Sequence, residues 1–177
     1  MDTLRKFPIG AFVAQEHYSE EEIKQNILAF KVFPSQLRSY LETVPESSWD
    51  SPYRQNGWTI RQVVHHLADS HSILYFRVKQ AITCENPTVP GYPESIWATL
   101  PDSQLSPWVS IPMIEALHAR LVSLFETLPT HTWQDRLYFH SGYETWYPLS
   151  RVIALYRWHG EHHLAHIRLA AENPELS

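Results

Sequence analysis

Four of the chain's 11 histidines fall within the ten residues "WHGEHHLAHI", 158–167: His159, His162, His163 and His166. Imidazole is the commonest metal ligand and the side chain that exchanges a proton nearest neutral pH. The stretch can therefore hold an ion, relay a proton, or form a wet helix face. A helix advances about 100° per residue. Leu155, His159, His162, His166 and Leu169 step by four, three, four and three, the spacing of an inward seam, with His163 at its border. Imidazoles thus stand where leucines belong. A buried polar group without a partner costs about 1–3 kcal/mol, so hydrogen bonds or an ion must satisfy them. His162 and His166, at i and i+4, can chelate one ion, which then needs a further protein ligand and an open position for water.

A second segment, "VVHHLADSH" at 63–71, supplies candidates for that ligand. His71 lies on the apolar stripe, His66 lies at its margin beside Val63 and Ser70, and His65 projects away and reads as solvated. Spacing does not choose between His66 and His71. Asp69, His71 and His159 are the candidates for acid-base or orienting work, although Asp69 fits a solvated helix position equally well. Neither H-E-x-x-H nor H-x-x-E-H occurs, so a metalloprotease mechanism with a helix-borne glutamate is not indicated. Trp58, Trp146 and Trp158 could wall an apolar cleft, with core packing the simpler role. Arg61, Tyr53 and Arg54 could reach a pocket mouth, with the surface the simpler place.

The elements that must position these groups read as helices. Ser19 and Glu22 form a capping box, and Ile23, Ile27, Phe30, Leu37, Tyr40, Leu41 and Val44 follow at helical spacing, with a bend expected at Pro34. Thr59 and Gln62 repeat the box ahead of Ile60, Val64, Leu67, His71, Leu74, Val78 and Ala81. Pro87, Pro90, Pro93, Pro101 and Pro107 impose a long crossover with at most a short helical turn near Ile96. A third stripe starts at Ser110 and uses Ile114, Leu117, Leu121, Leu124, Phe125 and Leu128, with Pro112 tolerated in its first turn. "DRLYFHSGYETWYPL" reads as a β-hairpin turning at Ser141-Gly142, and the fourth helix covers about 150–172. Four helices with no βαβ alternation predict an all-α four-helix bundle with a long crossover between helices 2 and 3, the architecture that builds metal sites from facing helices.

The 177 residues suit one domain, 1–177. No apolar run approaches the roughly 20 residues of a membrane span, and "MDTLRKFPIGAFVAQ" lacks the apolar core of a secretory signal. A single cysteine, Cys84, with no nearby cation to activate it, fits a reducing, cytoplasmic setting and a structural role. The formal charge of -5 and the scattered 14 lysines and arginines argue against a nucleic-acid partner.

"PYRQNGWTIRQVVHHLADSH" followed by "WHGEHHLAHI" resembles the DinB-like superfamily, most closely its YfiT branch of metal-dependent hydrolases, and the likeness includes "FPIGAF" near the start. The resemblance implies an up-down-down-up bundle, a cytoplasmic homodimer, and a zinc- or nickel-class ion on three histidines with water completing the shell. Carried over by motif, the ligands are His66, directly before "LADS", with His162 and His166. A metal-dependent hydrolase of small molecules is then expected. The alternatives are an S-transferase that joins a low-molecular-weight thiol to an electrophile, since coordination deprotonates thiols, and a metal-binding bundle without turnover.

Overall fold

The computed structural model describes residues 2–172; residue 1 and residues 173–177 of the expected domain lie outside it. In chain order it contains α1 (Asp2–Lys6), α2 (Glu20–Leu41), α3 (Ile60–Thr83), β1 (Thr88–Val89), α4 (Glu94–Trp97), α5 (Ile111–Phe125), α6 (Thr132–Asp135), β2 (Leu137–His140), β3 (Thr145–Pro148) and α7 (Leu149–Glu172), with short 3-10 turns between. The long helices α2, α3, α5 and α7 make the expected four-helix bundle.

Both capping boxes form. Ser19 Oγ accepts from the Glu22 amide while Glu22 accepts from the Ser19 amide at 2.8 Å, and Thr59 and Gln62 exchange the equivalent pair at 3.2 and 3.0 Å. These bonds satisfy amides that the first turn leaves free. α2 runs unbroken through Pro34, which is buried. α2 packs on α5 and α7, and α3 packs on the same two helices. Helices consecutive in sequence, α2 with α3 and α5 with α7, therefore sit on the diagonals.

The apolar core is divided along the bundle axis. One cluster contains Phe30, Leu74, Val78, Leu121, Phe125, Val152 and Ile153; the other contains Leu37, Leu41, Ile60, Val64, Ile111, Ile114, Leu164 and Ile167. Following each helix from one cluster to the other gives its direction. α2 runs up, α3 and α5 run down, and α7 runs up. His71, His118, His159, His162 and His163 occupy the layer where the helices pass between the clusters.

The 107–125 stretch has the length and apolarity of a membrane span. Its Ile111, Ile114, Leu121, Val122 and Phe125 are nevertheless buried in the bundle, and Arg120 is exposed.

The crossover carries the expected short turn, α4, and the expected hairpin is β2-β3, with Phe139 paired to Trp146 and Tyr138 to Tyr147. β1 adds a third, parallel strand beside β2 that the periodicity did not reveal. Prolines flank it on both sides, yet a proline carbonyl still accepts, and Pro87 O takes the Phe139 amide at 2.9 Å.

Candidate metal centre

His66 from α3 and His159 and His163 from α7 each turn one ring nitrogen to a common point, with those atoms all within 4.8 Å of one another. His66 and His163 are buried and His159 is partly exposed. The shortest approach is His66 Nε2 to His159 Nε2, 3.3 Å. Among the described residues, no fourth His, Cys, Asp or Glu joins the group.

Carbonyl groups decide which nitrogen of each imidazole is free. The Lys6 carbonyl can only accept, so the His166 Nε2–H donates to it at 3.2 Å. Neutral His166 then has its lone pair on Nδ1, which accepts a hydrogen bond from His163 Nδ1–H at 3.3 Å. The His163 lone pair is left on Nε2, toward His66 and His159. A second chain starts at the Phe30 carbonyl. His118 Nδ1–H donates to it at 2.7 Å, and His118 Nε2 accepts from His71 Nδ1–H at 2.7 Å. It ends on the unpartnered His71 Nε2, and the unpartnered Nδ1 of His159 belongs to a ring whose centroid is 5.7 Å away.

Burial keeps these rings neutral. It pushes His66 down to about 4, and it holds His159 and His163 well below the usual range, reinforced by neighbouring imidazoles. Neutral imidazole is the form that binds metal. Trp58 covers the group, its ring 4.7 Å from His66 and 6.3 Å from His163.

The set brought together shares His66 with the set carried over by motif but differs on α7. His166 already uses both nitrogens, and its ring lies 3.8 Å from that of Tyr53 in a stack. His162 is stacked 4.4 Å from Trp158. His163, expected at the seam border, faces the group instead. His71 stands behind His159 rather than beside His66. Asp69 is half-buried with its carboxyl held above the usual range by burial and by Asp102, outside the triad.

His65 is a correction. It is not solvated but 7% exposed. Its Nε2–H donates to Leu105 O at 3.0 Å and its Nδ1 accepts from Ser110 Oγ at 2.7 Å, tying α3 to the crossover. The proline-rich crossover covers a helix face that would otherwise meet water. Arg61 serves the same junction, paired with Asp50 and donating to the carbonyls of Gln104 and Leu105. Cys84 caps α3 and is exposed. Trp146 is exposed on the hairpin. A cavity of about 530 Å³ opens beside His159 and is lined in part by Ser70, Tyr92, Tyr138, Tyr156 and Trp158. Sequence reasoning missed it because the crossover and hairpin that build its far wall are distant in sequence from both histidine segments.

An up-down-down-up bundle with a group of three neutral imidazoles, two buried and one partly exposed beside a cavity, defines a class of helical, metal-binding-type proteins. The chain belongs to the DinB superfamily, whose family model matches residues 29–167. It is 42% identical over 167 residues to a Bacillus cereus (strain AH820) protein named "Putative metal-dependent hydrolase", covering 94% of this chain and 95% of that one. A Bacillus anthracis (strain A0248) protein of the same name matches to the same extent. Among solved structures, YfiT from Bacillus subtilis, described as "a probable metal-dependent hydrolase with an unusual four-helix bundle topology", superposes with a TM-score of 0.93 at 35% identity, covering 98% of this chain and 99% of that one.

Proposed function

We propose that the chain is a metal-dependent hydrolase of small molecules in which His66, His159 and His163 hold a divalent ion, zinc or nickel. The observation that carries this reading is the convergence of three ring nitrogens within 4.8 Å. The 3.3 Å between His66 and His159 Nε2 fits a shared ion, because bonds of about 2.1 Å give ligand edges of roughly 3.4 Å in a tetrahedron. The hydrogen-bond chain from Lys6 O supports it too, since it leaves the His163 lone pair facing inward. A divalent ion in such a site supplies Lewis-acid polarisation of a carbonyl or phosphoryl group and acidifies water.

The chain's own residues do the rest. His166 fixes the tautomer and tilt of His163, and Trp58 shields the buried side of the triad. His159, the partly exposed member, meets the cavity, which gives a substrate of small-molecule size a place beside the ion. Three protein ligands and an adjoining cavity favour turnover over a closed structural site, which takes four protein ligands.

The test is a screen of generic esters and amides with chelator-stripped and metal-reloaded protein, with and without an added low-molecular-weight thiol. Hydrolysis that needs metal and no thiol is expected. Turnover only when thiol and an electrophile are supplied together would replace this reading with thiol transfer, and no turnover with either would favour the non-catalytic bundle.

A further inference from the structure

At the far end of the same cavity lies Arg77 of α3, 7% exposed. A guanidinium is charged at any working pH, and burying a charge without a counter-charge costs several kcal/mol. Among the described residues, Arg77 has no ion-pair partner. Its Nη2 donates to Pro90 O at 2.7 Å, and its Nε is buried without a partner. The hydroxyls of Tyr138 and Tyr156 accept hydrogen bonds from the guanidinium, and burial holds both above the usual phenol range, so neither becomes a phenolate that would neutralise Arg77. The wall around this cation is built closely. His140 presents a second unpartnered buried nitrogen, Nδ1, and Gly91 and Gly142 flank its ring so tightly that a Cβ at Gly142 would stand 3.2 Å from Cε1.

We propose that this end of the cavity is an anion subsite in which Arg77 binds the carboxylate of an elongated, partly aromatic monocarboxylic acid whose labile bond lies at the triad. The proposal rests on the reading of the triad as the metal centre and names the substrate class for it. A monoanion fits better than a phosphate dianion because, among the described residues, Arg77 is the one permanent cation lining the space, and Glu94 lines it as well. The elongated form follows from the helix. At about 1.5 Å per residue, Arg77 is roughly 16 Å along α3 from His66, a span that two long side chains shorten but do not close. Tyr92 and Tyr156 also line the cavity and offer it aromatic surface.

The experiment is calorimetric titration of metal-loaded protein with 4-phenylbutanoate and with its uncharged amide, repeated on Arg77→Met and on His163→Ala, with metal content measured for each. Wild type is expected to bind the acid at least about tenfold more tightly than the amide. Arg77→Met should lose that preference while keeping its metal, and His163→Ala should keep the preference while losing metal. Equal binding of acid and amide by wild type, or no binding of either, overturns the proposal whether or not the variants fold. A preference lost in His163→Ala but kept in Arg77→Met places the carboxylate on the metal and also overturns it. If wild type holds no metal but its preference still depends on Arg77, the metal reading fails and the subsite stands.

Discussion

His163 shows how a backbone carbonyl can set the chemistry of a side chain it does not touch. Lys6 O fixes the proton on His166, and His166 fixes the proton on His163. Removing the middle of that chain should leave the triad's ligands in place but poorly oriented. His166→Phe is expected to weaken metal binding by about 10- to 100-fold, the usual effect of losing a partner behind a ligand, as read by competition with a chromophoric chelator. Wild-type affinity would show that His166 does not orient His163, and complete loss of metal would mark it as a ligand. The sequence made the histidines conspicuous and identified His66 as a candidate. It offered His162 with His166 as the α7 pair, whereas the structure turns His159 and His163 toward His66; at about 100° per residue the four α7 histidines lie within an arc of roughly 100°. Both 159/163 and 162/166 are i, i+4 pairs. Which half of the arc faces α3 depends on how α7 is rotated in the bundle, and that is set by packing elsewhere along the helix.

One element-level contact that sets this rotation is at Gly160, where α7 meets α2. A Cβ there would lie 3.0 Å from Cδ2 and Cε2 of Phe33, a buried ring. Alanine gains about 1 kcal/mol in helix propensity over glycine, but overpacking a filled interface costs about 1–3 kcal/mol. Gly160→Ala is therefore expected to lower stability by about 1 kcal/mol in urea unfolding and to weaken metal binding, because His159 adjoins the displaced residue. A stability gain would show that α2 and α7 separate freely. At the start of α3, Thr59→Ala should cost about 1 kcal/mol through loss of the cap, and an unchanged unfolding midpoint would contradict that. Caps and stripes were legible in the sequence because they are local. β1 was not, since a two-residue strand between prolines has no periodicity of its own and exists only through its pairing with β2. The burial of His65 was hidden for a similar reason, as its partners Leu105 and Ser110 arrive from the far end of the crossover.

Across the whole molecule, the core is two apolar clusters joined through a layer of histidines, and this gives the metal-free protein a pH-dependent stability. Burial lowers His118 to about 4, while the unfolded chain titrates near 6.5. Between those values the unfolded state holds more protons, so stability is fully present above about pH 6.5 and is lost as pH falls toward 4. The loss from His118 alone is about 2 kcal/mol by pH 5, and His118→Leu should flatten that part of the profile in urea unfolding of metal-free protein. The same slope in wild type and variant would mean that His118 is charged or exposed in the native state. The four helices and their apolar stripes were legible in the sequence, their up-down-down-up order was implied by the resemblance alone, and the division of the core is a finding of the structure. The cavity beside His159 required the crossover and hairpin to be folded against them. Which histidines hold an ion is tested most directly by metal content per chain, measured by mass spectrometry of wild type, His163→Ala and His162→Ala. About one ion per chain is expected in wild type and in His162→Ala, with almost none in His163→Ala. An ion retained by His163→Ala and lost by His162→Ala, or a wild-type protein that binds none, would contradict the proposed triad.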